Sequence, residues 1–417
     1  MTLQVDPILQ RTATMHADFA PDSSDVKRGT RPLRVLLISH TCQSPTEGQP
    51  KPERIAAMPG IDLVTLIPDR WKNYGKWRLA ATVPNPRCRY EIGKVALPWT
   101  GPGQFYLHWY PGLKRLLRAL QPDVIDLWEE PWALVSAQAV RLRNGILPRC
   151  RVITETEQNI NRKLPAPFEQ FRRYVLKHAD YAVCRNIEAE SVLRAKGYRG
   201  EATVVPNAVD DELFRPLDRE MCRKHFGFSG FTVGYIGRFV ERKGIQDLIA
   251  AVARCPGSVR AVLVGAGEYQ GELEKRIAEL GVGSRVRMIP QVAPSELTPI
   301  MNAIDALVLP SRTVPTWKEQ FGRVIIEAHA CETPVIGSDS GAIPEVVGAG
   351  GRIFAEGDVG ALAAAMTDMA ADPAATRHMG VAGKAQVNEK YTWQKVAERM
   401  YSIYLAVGKT PRQERHL

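Results

Sequence analysis

Short, largely apolar runs recur along this chain, the one at 35–38 unbroken, and each closes on polar or glycine-bearing residues. They stand at residues 35–38 (VLLI), 61–68 (IDLVTLIP), 151–154 (RVIT), 181–184 (YAVC), 231–236 (FTVGYI), 261–264 (AVLV) and 303–311 (AIDALVLPS). Runs this short, with no alternation, mark strands buried on both faces of a parallel sheet. Helical segments lie between several of them: 167–180 (PFEQFRRYVLKHAD), and 185–198 (RNIEAESVLRAKGY), with Gly197 suited to end the second. Strand and helix in alternation predict an α/β protein. In such open sheets ligands gather where the strands end. The residues just beyond each run are therefore the ones to search.

A chain of 417 residues is too long for one core and fits two domains. No window approaches 18 uninterrupted apolar residues, so no membrane-spanning helix is expected. The first thirty residues lack a charged segment followed by an apolar core, which argues against a secretory leader. Their polar, periodless character predicts a disordered lead-in. Seven cysteines, at 42, 88, 150, 184, 222, 255 and 331, show no C-x-x-C spacing. That suits a reducing cytoplasm rather than a zinc ribbon or disulfide scaffold. The net charge of +10 is spread out and not striped with aromatics, so no nucleic acid partner is expected. It is compatible with anionic substrates and with contact at the inner face of a membrane.

Glu319 and Glu327 stand eight positions apart, around Gln320-Phe321-Gly322-Arg323 and an apolar Val324-Ile325-Ile326. This reads as a helix that starts at a glycine-containing loop and leads to a buried strand at 334–337. Free amides at Phe321, Gly322 and Arg323 would point out of the helix start, where the dipole favours an anion. Gly322 lets a phosphate approach the backbone closely. The two acids lie about 80° apart around the axis, so they need not share one face. As acceptors they suit sugar hydroxyls. The alternative is a capped amphipathic helix with one surface acid and one satisfied acid.

Residues 237–244, Gly237-Arg238-Phe239-Val240-Glu241-Arg242-Lys243-Gly244, follow a strand and place two cations at the ligand-bearing edge. Arg238 offers a forked donor and Lys243 a point charge, both suited to diphosphate oxygens. A charged surface loop is the alternative. Gly265-Ala266-Gly267 lacks the spacing of a dinucleotide fingerprint and reads as packing and site shaping.

In the first half, His40 and Thr41 follow the 35–38 run. The stretch 122–132 delivers Glu129 and Glu130, which point to opposite sides of extended chain, so one of them is expected to face substrate. A dense polar run at 155–160, with Glu157 and Asn159, reads as a site wall. The aromatic and basic residues at 69–79 read as a surface loop, with an acceptor groove or headgroup contact as the alternative. Residues 106–120 form a basic amphipathic helix in this reading. Trp393, Val396, Met400, Ile403 and Tyr404 give a last helix with an apolar face.

The segment from Glu319 through residue 347, the G-R-x4-K-G loop and the Val205-Pro206-Asn207-Ala208-Val209-Asp210 stretch together resemble retaining glycosyltransferases of the GT-B fold, family 4 or group 1. Ala208 replaces the usual glycine. The resemblance is strong over residues 200–350 and loose in the first half. It implies two Rossmann-like doubly wound domains facing across a cleft. A lead-in at 1–30, an N-terminal acceptor domain at 31–207 and a C-terminal nucleotide-sugar donor domain at 208–388 follow. A helix at 389–417 then crosses back to the N-domain and ends in a loose tail.

It further implies that Arg238, Lys243 and the amides at 321–323 hold the diphosphate of a UDP- or GDP-sugar. Glu319 would take the sugar and Glu327 the ribose, with Gly237, Gly265 and Ile289 shaping the donor site. Glu129 or Glu130 would act in catalysis, and His40, Thr41, Glu157 and Asn159 would line the acceptor side. No D-x-D pair occurs, so no metal site and no cofactor is expected. The acceptor would be a carbohydrate, lipid or small molecule. Two features depart from the family: no histidine ends the 124–128 strand, and the loop after residue 41 offers only Gly48 among prolines. A nucleotide-sugar epimerase or phosphorylase of the same fold, and a non-catalytic nucleotide-sugar-binding protein, remain as alternatives.

Overall fold

A computed structural model of the protein describes residues 31–409, apart from 74–75, 83–84, 86 and 98–103. The lead-in expected at 1–30 and the tail after 409 lie outside the described residues. Two mainly parallel sheets dominate. The first carries β1 (Leu33–Ile38), β2 (Ile61–Pro68), β5 (Arg89–Gly93), β6 (Val124–Leu127), β7 (Arg151–Thr156), β8 (Tyr181–Cys184) and β9 (Glu201–Val204). Their order is β5-β2-β1-β6-β7-β8-β9. Strands β3 (Arg70–Asn73) and β4 (Lys76–Leu79) form a separate antiparallel hairpin.

The second sheet holds β10 (Phe231–Ile236), β11 (Val259–Val264), β12 (Val286–Ile289), β13 (Ala306–Leu309), β14 (Val335–Ser338) and β15 (Gly351–Phe354). Its order, β12-β11-β10-β13-β14-β15, reverses direction at β10, as the first sheet does at β1. The crevice beyond such a reversal is where doubly wound sheets bind ligands.

The apolar runs seen in the sequence fill the interior because both faces of each sheet are covered. Leu36, Ile38 and Ile125 pack on one face of the first sheet, and Val35, Leu37 and Val124 on the other. The second sheet has its own core around Val233, Leu263, Leu307 and Ile336. The last helix, Trp393–Lys409, leaves the second unit and seats Trp393, Val396, Met400 and Tyr404 in the core of the first, as expected. Its buried Tyr404 hydroxyl donates to Asp126 Oδ2 at 2.6 Å.

Three local expectations need correction. The helix read at 106–120 is two pieces, Gln104–Leu107 and Leu113–Leu120. Pro111 has no N–H and disfavours helix at the residue before it, and Trp109 instead pairs with Ala96. The apolar stripe of the second piece does face the core, through Leu113 and Leu117. Within 69–79, read as a surface loop, Arg70–Asn73 and Lys76–Leu79 pair as antiparallel strands β3 and β4, with Trp71 buried. Strands β5 and β15 had no clear apolar run and went unread, because each is a sheet-edge strand that is only partly buried. Among the described residues no helix is long and apolar enough to cross a membrane.

Candidate active site in the interdomain cleft

The loop after β10 and the helix after β13 meet at the carboxyl edge of the second sheet. Residues Glu241–Lys243 make one 3-10 turn before the helix Ile245–Arg254. Tyr235 braces this loop by donating its hydroxyl to the Arg238 carbonyl at 2.8 Å. Gly265 sits directly against it: a Cβ there would lie 1.9 Å from the Gly237 carbonyl oxygen. The two glycine turns therefore present bare backbone to the cleft. Gly265 N–H donates to the Ile289 carbonyl at 3.0 Å, which joins the third donor-side position to the same shelf.

The helix Arg323–Ala330 begins at Gly322, whose φ of 79° and ψ of 58° put it in the left-handed region. A Cβ at Gly322 would meet Ile325 Cδ1 at 2.9 Å and Leu309 Cδ2 at 3.0 Å. Among the described residues the amides of Phe321, Gly322 and Arg323 donate to no protein acceptor. The Phe321 ring is buried against Tyr391, with centroids 5.8 Å apart, so only its backbone serves the cleft.

Lys243 Nζ lies 2.5 Å from Glu319 Oε2, and Ser311 Oγ donates to the same oxygen at 3.0 Å. The Trp317 ring stands 4.8 Å from Lys243 Nζ and 5.0 Å from the Arg242 guanidinium. The cationic loop and the helix start thus converge. Arg238 is half exposed, with Glu268 3.8 Å away. Burial raises the pKa of Glu327, against the pull of Arg323.

Across the cleft, His40 lies two residues beyond the end of β1. Its backbone N–H donates to Glu129 Oε1 at 2.6 Å, and its Nδ1 lies 2.7 Å from Oε2. The imidazole stacks on Trp71 at 4.7 Å, with Phe105 edge-on at 5.4 Å. Burial would raise the Glu129 pKa, but His40 and His108 overcome it and hold the carboxyl at about 2. Burial acts to lower the His40 pKa, and Glu129 and Glu157 outweigh it, so the net shift is upward. His108 is fully buried; its Nδ1 lies 2.9 Å from the Gln104 carbonyl, and its Nε2 stands 3.7 Å from Glu129 Oε1.

Among the described residues, His40, His108 and Glu129 form the group whose ligand atoms, all within 4.8 Å of one another, can hold a metal ion. The 2.7 Å contact between His40 and Glu129 is a hydrogen-bond length. Ligand atoms around a tetrahedral zinc ion stand about 3.3 Å apart. The set is drawn together as a carboxylate between two imidazoles.

Glu130 turns away from Glu129, as adjacent residues on extended chain must. It accepts from Thr156 Oγ1 and from the Glu157 N–H, each at 2.7 Å. Burial pushes its pKa up to about 7 against those bonds. Glu157 is half-buried, and burial likewise raises it, with Arg323 of the second unit as the largest opposing influence.

The polar run at 155–160 is not wholly a cleft wall. Glu155 is buried below it, 2.5 Å from Lys51 Nζ and ion-paired with Arg185, and both cations lie over the Trp128 ring. Asn159 is also buried, and its amide nitrogen is taken by the Glu319 carbonyl at 2.9 Å and Glu188 Oε2 at 3.2 Å. Thr41 opens the short turn Thr41–Gln43 beside His40.

Sequence reasoning missed His108, Lys51, Arg185 and Ser311. No spacing ties any of them to its partner. The one available signal was a histidine set in the apolar, aromatic stretch 105–110.

Comparison with known proteins agrees with this geometry. The family model of the glycosyl transferases group 1 matches residues 224–386, and that of glycosyltransferase family 4 matches residues 67–213. A D-inositol 3-phosphate glycosyltransferase of Mycobacterium marinum is 25% identical over 368 residues, covering 85% of this chain and 74% of that protein. A GDP-mannose-dependent monoacylated alpha-(1-6)-phosphatidylinositol monomannoside mannosyltransferase of Corynebacterium glutamicum is 30% identical over 210 residues, 48% of this chain and 55% of that protein. Among solved structures, a sucrose-phosphate synthase from Thermosynechococcus elongatus superposes with a TM-score of 0.69 at 22% identity, covering 90% of this chain and 98% of that one. The HepE protein of Anabaena in complex with UDP and glucose superposes at 0.65 and 19% identity, covering 90% and 100%. With both family models matched in order and both halves of the architecture present, the chain belongs to glycosyltransferase family 4 and has the GT-B fold.

Proposed function

We propose that the protein moves a sugar from a nucleoside-diphosphate donor to a hydroxyl acceptor, with retained anomeric configuration and no required divalent metal. The observation that carries this reading is the Lys243–Glu319 contact of 2.5 Å at the start of the helix Arg323–Ala330. One cation, one sugar-holding carboxylate and a set of free backbone amides there share a single corner of the cleft. Lys243, Arg238 and the amides at 321–323 neutralise the charge that grows on the departing diphosphate. Glu319 holds donor-sugar hydroxyls and Glu327 the ribose. The bare shelf of Gly237, Gly265 and Ile289 shapes the space for the base. HepE binds UDP and UDP-glucose, and the Corynebacterium relative is named for GDP-mannose, so a UDP- or GDP-sugar is the donor class.

The first unit, residues 31–207, presents the acceptor at His40, Thr41, Glu129, Glu130 and Glu157. Glu129 fixes the His40 ring through Nδ1, which leaves Nε2 to meet an acceptor hydroxyl. No protein nucleophile is required if the leaving phosphate takes the acceptor proton on the same face of the sugar. The relatives' names point to polyol or lipid-linked acceptors, and the basic chain suits an acceptor at the inner membrane face.

A thermal-shift screen of UDP, GDP, UDP-glucose and GDP-mannose tests the reading, because a ligand specific for the folded state raises apparent stability. A donor that binds is then incubated with and without acceptors. Binding by none of the four refutes sugar transfer from these donors, and donor conversion without acceptor identifies an epimerase instead.

A further inference from the structure

We propose that Asn159 and Asn186 are positioning residues: side chains of the first unit that set Glu319, on the second, in its sugar-holding place. This rests on the assignment of Glu319 to the donor sugar above. Three consecutive residues of the second unit are held from the first. Lys318 Nζ lies 2.5 Å from Glu188 Oε1. The Glu319 carbonyl accepts from Asn159 Nδ2 at 2.9 Å, and the Gln320 carbonyl accepts from Asn186 Nδ2. Gln320 Nε2 returns a bond to the Glu157 carbonyl at 3.1 Å.

Neither amide is free to turn. Asn186 is fully buried, and its Oδ1 caps the helix Ile187–Ala195 by accepting from Ala189 N–H at 2.7 Å, which forces Nδ2 toward Gln320. Asn159 is 3% exposed, and its two acceptors, a carbonyl and the Glu188 carboxylate, can be served only by an N–H. On the second unit's own side, the Glu319 carbonyl also receives the Ala342 N–H at 3.1 Å.

The loop that leads into this segment is pinned on the second unit by Thr313, which bonds to Glu356 and Ser340, and by the Val314–Trp317 bridge. Residues 313–315 and Lys318 border a cavity of about 700 Å³ shared with the helix Ile187–Ala195 of the first unit. Past Trp317 the Glu319 backbone packs on Gly341 of its own unit, where a Cβ would lie 2.0 Å from the Glu319 carbonyl oxygen, and the clasp from the first unit holds its other side. Glu319 meanwhile reaches the other way, to Lys243 and Ser311. Glu319 is therefore held at its backbone by both units and at its side chain by the second. A donor that meets the second unit alone finds the diphosphate site but a loose sugar grip; approach of the first unit completes it.

The test uses the full chain with Asn186→Asp, which keeps the cap acceptor and loses the donor, and with Asn159→Ala. Calorimetry compares UDP-glucose and GDP-mannose with UDP and GDP. For whichever pair the wild type binds, each variant is expected to lose about tenfold in affinity for the nucleotide sugar, the scale of one lost hydrogen bond. Affinity for the free diphosphate stays within about twofold of the wild type. In a Glu319→Ala background, Asn186→Asp is expected to bring no further loss, since the two act on one contact. The idea is overturned if nucleotide-sugar affinity stays at the wild-type level, if sugar and diphosphate forms weaken in parallel, or if the losses add in the double variant. A wild type that binds none of the four overturns the functional reading instead, before any variant is made.

Discussion

Lys243 and Glu319 lie 76 positions apart in the chain, yet their charged atoms are 2.5 Å apart in the cleft. With side chains 21% and 11% exposed, each shields the other from an unbalanced burial. A lysine that neutralises a departing diphosphate must stay charged and close to the sugar, and a carboxylate partner that itself grips the sugar meets both needs.

Replacing Lys243 by alanine is expected to slow transfer by about 10²–10³-fold, the scale of one lost electrostatic donor. Stability is also expected to fall, by about 1–2 kcal/mol, because Glu319 keeps only Ser311 as a partner. Arg238→Ala, at a half-exposed side chain, is expected to slow transfer with stability held within about 0.5 kcal/mol. Steady-state kinetics alongside urea unfolding measure both. Full activity in Lys243→Ala would remove the lysine from the mechanism.

Gly322→Ala places a side chain at φ 79° and drives its Cβ into Ile325 and Leu309. A loss of about 1–3 kcal/mol in stability follows from the strained backbone. Weaker binding of UDP or GDP without sugar accompanies it, because the helix start must shift. Unchanged diphosphate affinity in a folded variant would mean that this helix does not hold phosphate.

Glu130 gives a pH signature. Its folded-state pKa is raised from the model-compound value of 4.5 to about 7 by burial, so the folded protein holds a proton there that the unfolded chain has released. That contribution to stability is present below pH 4.5 and is lost as pH rises toward 7. Glu130→Gln is expected to flatten this part of the stability profile. Melting temperatures of both proteins between pH 4.5 and 8 show it as a difference that grows with pH in favour of the variant; parallel curves would count against it.

Tyr404→Phe removes the buried bond that ties the last helix to Asp126 Oδ2, leaving that oxygen Lys51 at 4.0 Å, while Oδ1 accepts no hydrogen bond among the described residues. Leaving that carboxylate less satisfied costs about 1–3 kcal/mol. Melting is expected to drop by several degrees, with nucleotide binding by the folded protein unchanged. A variant as stable as the wild type would show that apolar packing alone seats this helix.

Transfer in excess chelator is expected to proceed at the untreated rate, since the proposed mechanism gives the diphosphate to lysine, arginine and backbone amides. Loss of activity that added divalent metal restores would overturn the metal-free reading. It would also direct attention to His40, His108 and Glu129.

Much of the architecture is legible without coordinates. The stretches at 61–68, 181–184 and 231–236 are strands β2, β8 and β10 to the residue, because a strand buried on both faces must be apolar throughout, and that property sits in consecutive residues. His40, Glu129, Lys243 and Glu319 lie beyond the carboxyl ends of β1, β6, β10 and β13, where such sheets place ligands, and the family resemblance supplied the roles expected of them. Where the local signal was weak, it misled: the apolar spacing of 106–120 ran through Pro111 as if no break were there.

Local pattern therefore determined most of the strands and the residues available beyond their carboxyl ends. Tertiary structure alone decided which polar groups meet. Glu155 and Glu157 are two residues apart, yet one is sealed beneath Lys51 and Arg185 while the other reaches the cleft. Glu129 lies between two imidazoles from positions 40 and 108, and Asn159 spends its amide on a carbonyl 160 residues away. Apolar burial is non-directional and needs only a run of suitable side chains, whereas a hydrogen bond or ion pair needs a partner at a set distance and angle. Which partner arrives is settled by how the elements pack, within the first unit for Glu129 and Glu155 and between the two units for Asn159.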